Sequence, residues 1–109
     1  MAITTTSPVV LNSSTIVGKG TQTFLNITSA TVVKSMQGRV AKVSVISPSD
    51  AGNQYAAVAD HASTSGLSNA NLIAVIPDVR GVYDVDMPCS TGIVLAPGGA
   101  GQVLAISFS

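Results

Sequence analysis

Short runs rich in valine and isoleucine recur along this chain, and turn-forming residues separate each run from the next. The clearest run covers residues 39–46, where Val43 and Val45 alternate with Lys42 and Ser44. Such period-two alternation is typical of a strand with one buried and one exposed face. Many short strands with Gly, Pro, Asn and Ser between them predict an all-β sandwich or barrel.

The same pattern predicts further strands on both sides of this run. They lie at residues 24–28, 31–34, 81–87, 93–96 and 102–109, and a shorter pair is expected at 8–12 and 15–17. The alanine-rich segment 55–60 reads as a weak strand, although a helix stays open there. Segment 68–77 predicts at most one helical turn, capped by Ser68, that leads into an extended piece ending at Pro77.

Two finer predictions concern strand geometry. The strands at 31–34 and 39–46 are joined by a turn containing Gly38, which favours a hairpin. In segment 81–87, strict alternation places Tyr83, Val85 and Met87 on the buried face.

The length of 109 residues fits a single domain. We expect an N-terminal arm at residues 1–7, followed by one antiparallel β-sandwich over residues 8–109. A jelly roll is one candidate strand order, but periodicity does not encode strand order.

Charged residues make up only 9% of the chain, against about a quarter in typical soluble domains. Much of the surface is therefore expected to face other protein rather than water. The formal net charge is zero, which argues against nucleic acid or an anionic membrane as a partner. The start of the sequence lacks the pattern of a signal peptide, and no apolar run is long enough to span a membrane, so synthesis in a cytoplasm is expected.

No constellation of residues predicts catalysis, a cofactor or a metal. His61 follows Asp60 directly, and adjacent strand residues point to opposite faces, so a solvated pair is a better interpretation than part of a catalytic triad. Asp84 and Asp86 share a strand face. Contact with Arg39, Lys42 or Arg80 of a neighbour is a better interpretation of this pair than a calcium site, and a metal at a subunit interface is a minor alternative.

Neither Gly18–Gly20 nor Pro97–Gly101 matches a phosphate-binding loop, so both are read as turns. Cys89, the single cysteine, allows no intramolecular disulfide and is expected to be a small buried hydrophobe.

Over roughly residues 25–109, the spacing of strands and turns resembles a group of small virion proteins of tailed bacteriophages. The segments that carry the resemblance are Gly38–Val40, Ala70–Asn71 leading to Ile76–Pro77, Gly81–Tyr83, Met87–Cys89 with Thr91–Val94, and Pro97–Gly98 with Gly101–Val103. The resemblance implies a capsid decoration (cement) protein or a small tail component, built as a β-sandwich and acting as an oligomer.

The first functional hypothesis is therefore a non-enzymatic decoration protein on the surface of a phage head, assembled in the bacterial cytoplasm. Its expected partners are copies of itself, as a dimer or trimer, and the major capsid protein. The N-terminal arm is a candidate for strand addition onto a neighbour, through residues Ala2, Ile3, Thr4, Thr5, Thr6 and Ser7. A tail or fibre component is the alternative, and a carbohydrate-binding module is a more distant one because few aromatic residues are available to stack on a sugar.

Overall fold

The structure is a computed structural model that describes residues 20–109. Within this range the chain forms eight β-strands, and no helix there is long and apolar enough to cross a membrane. The strands are β1 (Gln22–Ile27), β2 (Thr31–Lys34), β3 (Gly38–Ser47), β4 (Ala56–Asp60), β5 (Leu72–Ile76), β6 (Gly81–Cys89), β7 (Ile93–Ala96) and β8 (Val103–Phe108).

The strands form two antiparallel sheets that pack together. Sheet A has the order β1-β8-β3-β6, and sheet B has the order β2-β7-β4-β5. The pairs β1–β8, β2–β7, β3–β6 and β4–β5 are nested, as in one long hairpin that is rolled up so that successive pairs fall in alternate sheets. Eight strands in this nested order form a jelly roll. The all-β, antiparallel sandwich predicted from the sequence is confirmed, and the strand order is now defined.

The core lies between the two sheets and is built by alternate residues of each strand. Val43 and Val45 point into it, whereas Lys42 and Ser44 point outward, as their alternation predicts. β2 contributes no member to the buried core, and β6 contributes only its last residue, Cys89. The other buried members are Ile27, Val40, Ala56, Val58, Ile76, Ile93, Leu95, Leu104, Ile106 and Phe108.

The predicted hairpin between segments 31–34 and 39–46 is wrong. β2 pairs with β7 in sheet B, whereas β3 pairs with β6 and β8 in sheet A. The turn at residues 35–37 therefore carries the chain from one sheet to the other. A hairpin signal is local, but the choice of sheet depends on partners more than 35 residues away in sequence.

The predicted inward face of β6 is correct for two residues and wrong for the third. Tyr83 and Val85 pack against the core, but Met87 is 40% exposed. Asp86 has a positive φ of 49°, and the register of β6 against β3 shifts at this point. Two residues of β6 thus lie opposite Ala41, which is a β-bulge. Beyond the bulge Met87 pairs with the buried Val40, but β6 is the edge strand of sheet A and leaves its side chain open to solvent.

The two ambiguous segments are both extended. Residues 56–60 form strand β4, so the helical alternative is excluded there. A tight turn precedes β5, in which Asn71 donates its backbone N–H to the carbonyl oxygen of Ser68 at 3.1 Å. The hydroxyl of Ser68 accepts the backbone N–H of Ala70 at 3.3 Å, so Ser68 stabilises this turn, although the turn is not helical as the sequence allowed.

Candidate protein interface

Apolar side chains form two rows across the outer face of sheet B, and Lys34 lies beside them at the end of β2, because its neighbour Val33 packs against the core. The register of the four strands lines up two rows across this face, because partners in antiparallel strands share a face. The first row is Val32, Val94, Ala59 and Leu72, and the second is Ala96, Ala57 and Val75. We call these seven residues the sheet B face. No charged or hydrogen-bonding side chain belongs to it.

Alternation within each strand assigns these residues to the outside. In β7 the core side chains are Ile93 and Leu95, so Val94 between them points the other way. In β4 the core side chains are Ala56 and Val58, which leaves Ala57 and Ala59 outside. A strand that is apolar on both faces needs protein on both sides of the sheet.

The first row is already covered at its centre, and the second row is open at one end. Val94 and Ala59 are 0% and 1% exposed, although neither belongs to the core between the sheets. Val75, at the end of the second row on the edge strand β5, is 55% exposed. Its partner Ala57 in the central strand β4 is half-buried. The accessible part of the sheet B face is therefore the side that β5 borders.

The outer face of sheet A has a different character. Lys42 of β3 lies 2.5 Å from the carboxylate of Asp84 in β6, and Arg39 contacts Asp86 at 3.0 Å. Both ion pairs are solvent-exposed, so each contributes little to stability. They lie on a face that also exposes apolar side chains, since Val82 of β6 pairs with the outward-facing Ser44 and is 65% exposed. The sequence predicted that Asp84 and Asp86 contact basic residues of a neighbouring molecule, whereas the structure forms both contacts within one chain.

The edges of the two sheets differ in the same way. β6 carries Asp84, Asp86 and Pro88, and charged residues, prolines and bulges are the usual protection of an exposed edge. β1 contains Asn26 with a φ of 56° and a register shift beside it, and β2 is four residues long and ends on Lys34. β5 has the sequence Leu-Ile-Ala-Val-Ile, without a charge, a proline or a residue of positive φ. Its own register shift is confined to the end near Leu72.

The other candidate residues have structural roles. The carboxylate of Asp60 accepts backbone N–H groups of Ser90, Thr91 and Gly92 at 2.9, 2.8 and 3.3 Å, and these hydrogen bonds lower the pKa of Asp60. Asp60 therefore anchors the β6–β7 loop rather than lying in solvent. The Nδ1 atom of His61 accepts the backbone N–H groups of Ala62 and Ser63 at 2.9 and 3.2 Å, so that atom is occupied within its own loop.

The turn at Pro97–Gly101 and the single cysteine also act in packing. A Cβ at Gly98 would collide with the carbonyl oxygens of Gln54 and Tyr55, so the turn lies directly against the loop before β4. Cys89 is 2% exposed and belongs to the core, as predicted, and burial raises the pKa of its thiol to about 11. Between residues 20 and 109, no three His, Cys, Asp or Glu side chains are grouped so that they would hold a metal ion.

The sequence analysis missed the sheet B face. The available signal was the lack of alternation in Ile93–Ala96, Ala56–Ala59 and Leu72–Ile76, which are apolar at every position. The predicted contact arm, Ala2 to Ser7, and the predicted strands at 8–12 and 15–17 lie outside the described residues. Comparison of the chain with protein-family models, with curated proteins and with solved structures finds no match.

Proposed function

We propose that this chain is a structural virion protein, a decoration or cement protein that binds the surface of a phage head and bridges major capsid subunits. The observation that supports the proposal is the difference in charge between the two outer faces of the sandwich. The sheet B face is uncharged and apolar, whereas the outer face of sheet A carries the Arg39–Asp86 and Lys42–Asp84 ion pairs.

The proposed mechanism is a clamp. The β5 side of the sheet B face lies across the junction between capsid subunits and buries apolar surface there, while sheet A faces the solvent. Binding that is specific for the mature shell stabilises that state by mass action. The contribution of one copy is small, but many copies on one head act together.

The jelly-roll fold is consistent with this role. Jelly rolls occur in viral capsid proteins and also in lectins, so the strand order alone does not decide between assembly and sugar binding. The apolar character of the sheet B face favours assembly, because sugar recognition depends on polar side chains arranged around aromatic rings. Among the described residues, Tyr55 is the one aromatic side chain that is more than half exposed, at 56%, and it directly precedes β4.

The test is the copy number of the protein in purified virions, measured by gel densitometry against the major capsid protein. Hundreds of copies in a simple ratio to the shell subunit are expected. A handful of copies per virion would instead support the alternative role as a tail or fibre component. None at all would overturn the virion assignment, and saturable binding on a glycan array would then support the carbohydrate-binding alternative.

A matched pair of variants tests which face meets the shell. Ala57→Lys places a charge in the central strand β4 of the sheet B face, and Ser44→Lys places the same charge in the central strand β3 on the outer face of sheet A. Capsids that lack the protein are mixed with each folded variant and sedimented. We expect Ala57→Lys to lose binding and Ser44→Lys to keep it, and the reverse result would contradict the proposed orientation.

A further inference from the structure

We propose that two copies of the protein dimerise end to end through one end of the sandwich, with Asp50 of each copy paired to Arg80 of the other. We call this end the loop end, and it consists of the loops at residues 48–55, 77–80 and 97–102. The proposal deepens the self-association in the proposed function, and it rests on that function only for the orientation of the dimer on the shell.

Two opposite charges at the loop end have no ionic partner in their own chain. Within residues 20–109, Asp50 and Arg80 form no ion pair, whereas Asp84 and Asp86 each pair with a basic residue of β3. Both Asp50 and Arg80 are exposed. The loop end therefore presents a carboxylate and a guanidinium on different loops, and a surface of this kind is complementary to itself.

Both charged residues are held in place by hydrogen bonds to other parts of the chain. Arg80 donates its Nε–H to the carbonyl oxygen of Ile46 at 3.0 Å. Asp50 donates its backbone N–H to the carbonyl oxygen of Ala100 at 2.9 Å, and its carboxylate lies against Gly101, where a Cβ would collide with it. Residues that are positioned before binding lose less conformational entropy when the partner arrives.

Exposed apolar side chains lie at the same end as these charges. Val79 is 62% exposed and Tyr55 is 56% exposed. Their loops are in direct contact, because Gln54 donates its backbone N–H to the carboxylate of Asp78 at 3.1 Å. The loop end thus combines aromatic and aliphatic surface with a small number of charges, which is the usual composition of a protein interface.

The three loops form one connected surface. The carboxylate of Asp78 accepts hydrogen bonds from Ser49 and from Gln102, one residue of each of the other two loops. The hydroxyl of Tyr83 donates to the carbonyl oxygen of Val79 at 2.6 Å and so fixes the loop that carries Arg80. A surface that is ordered in the monomer can bind without first losing loop entropy.

The symmetry of such a dimer suits the proposed orientation on the shell. A two-fold axis perpendicular to the sheets exchanges Asp50 and Arg80 between the copies, so that both ion pairs form at once. Rotation about this axis keeps both sheet B faces on one side of the dimer and both sheet A faces on the other. One dimer thus spans a junction between capsid subunits with two apolar faces.

The contact is small, so we expect a weak dimer in solution. Four strands about 4.8 Å apart, in two sheets about 10 Å apart with their outer side chains, give an end of roughly 20 by 20 Å, or about 400 Å² per copy. Standard interfaces bury about 800 Å² per partner, and smaller ones belong to transient complexes. On a shell each copy is also held by its sheet B face, and the high effective concentration there makes weak pairing sufficient.

Sedimentation equilibrium of the purified full chain, from about 10 μM to about 1 mM, measures this dimer. Asp50→Arg and Arg80→Asp each turn both attractive contacts into repulsive ones, and we expect either change to weaken dimerisation by about tenfold or more. The matched control is Lys42→Asp, which changes the net charge as Arg80→Asp does but lies on the outer face of sheet A. This control should dimerise like the full chain.

An equimolar mixture of the two charge variants tests the reciprocal pairing. In a mixed dimer the two substituted residues face each other with opposite charges, and so do the unchanged Arg80 and Asp50. We expect the mixture to recover the dimerisation that each variant alone has lost. The double variant Asp50→Arg/Arg80→Asp should recover it as well, because both of its contacts are again attractive.

A pair of valine substitutions tests the apolar part of the contact. Val79→Ser removes apolar surface at the loop end in both copies, and we expect dimerisation to weaken by roughly fivefold. Val75→Ser is the control, because Val75 is a similarly exposed valine (55%) on β5, away from the loop end. The control should leave the dissociation constant of the dimer unchanged.

Far-UV circular dichroism confirms that each variant is folded. If Asp50→Arg does not fold, Asp50→Asn replaces it, because it removes the charge and keeps the shape of the side chain. It should then weaken dimerisation, although less than Arg80→Asp does.

Four results would overturn the inference: a full chain that stays monomeric, a trimer, charge variants that dimerise like the full chain, or a mixture that stays monomeric. A monomer that is abundant in virions would lose this inference and keep the proposed function. A dimer that is absent from virions would do the opposite, so the two failures are distinguishable.

Discussion

The carboxylate of Asp78 accepts a hydrogen bond of 2.8 Å from the side-chain amide of Gln102. Asp78 lies in the β5–β6 loop and Gln102 in the β7–β8 loop, directly before β8. Asp78 also accepts the backbone N–H and the hydroxyl of Ser49, at 2.8 and 2.5 Å, and the backbone N–H of Gln54 at 3.1 Å. One carboxylate therefore joins three loops at one end of the sandwich.

Replacement of Gln102 should destabilise the fold. Gln102 is 1% exposed; it accepts the backbone N–H of Gly98 at 2.8 Å and donates to the carbonyl oxygen of Gln54 at 3.0 Å, in addition to Asp78. Gln102→Ala leaves these buried groups unpaired, and we expect a loss of about 2 to 3 kcal/mol in the free energy of unfolding. Urea denaturation measures it. Gln37→Ala, at an exposed glutamine, is the control and should change the free energy by less than about 0.5 kcal/mol.

Stability should fall in acid because of Asp78. The hydrogen bonds from Ser49, and then those from Gln54 and Gln102, hold the pKa of Asp78 well below its ordinary value. As the pH falls, the unfolded chain therefore takes up this proton before the folded protein does. The free energy of unfolding should have its full value above about pH 5 and decrease as the pH falls through about 4 and below, near the ordinary pKa of an aspartate.

The variant that checks this pH dependence is Asp78→Asn. It should be less stable than the wild type at pH 7 and should show a shallower decrease in stability between pH 6 and pH 2. Some decrease should remain, because the pKa of Asp60 is lowered as well. Urea denaturation at each pH gives the two curves. Parallel curves would show that Asp78 is not the group responsible.

Gly98→Ala should be more damaging than another glycine substitution nearby. The added methyl group at Gly98 meets the carbonyl oxygens of Gln54 and Tyr55, so backbone has to move, and overpacking of this kind costs about 1 to 3 kcal/mol or more. Gly52→Ala meets no atom within 4 Å, although its φ of +74° costs about 1 to 2 kcal/mol. Thermal unfolding of both variants should give the lower midpoint for Gly98→Ala, and equal midpoints would contradict the close approach.

The thiol of Cys89 should be unreactive in the folded protein. It is buried in the core, and desolvation raises its pKa to about 11, so the thiolate that reacts with alkylating agents is scarce. Labelling by iodoacetamide at pH 8, followed by mass spectrometry, should be slow in buffer and fast in urea. Rapid labelling without denaturant would place this thiol at the surface instead.

Strand positions followed from the sequence because alternation and turn residues are local. β2 and β7 have the predicted bounds, and the turn at Ser68 leading into β5 was also foreseen. The assignment of β2 and β3 to different sheets was not predicted, because it depends on pairing with strands far along the chain. The bulge at Asp86 was missed for a different reason: an aspartate can adopt a positive φ, but its identity does not demand one.

The sequence did not reveal the candidate interface for a similar reason, since the interface also depends on how distant strands pair. Composition indicated that the surface meets other protein, but it did not say where. The sheet B face exists because register aligns Val94 with Ala59 and Ala59 with Leu72, three residues from separate runs. Likewise, nothing in the sequence marks Gln102 as the buried amide that ties three loops together.

The position of β8 has a consequence for how the protein is made. The last strand of the described chain lies between β1 and β3, so sheet A has a gap until residues 103–108 leave the ribosome. During synthesis β1 and β3 each lack this neighbour, and the nascent chain exposes strand edges that the finished sandwich conceals. Completion of the jelly roll thus waits for residues 103–108, and pairing with another copy before that moment would compete with correct folding.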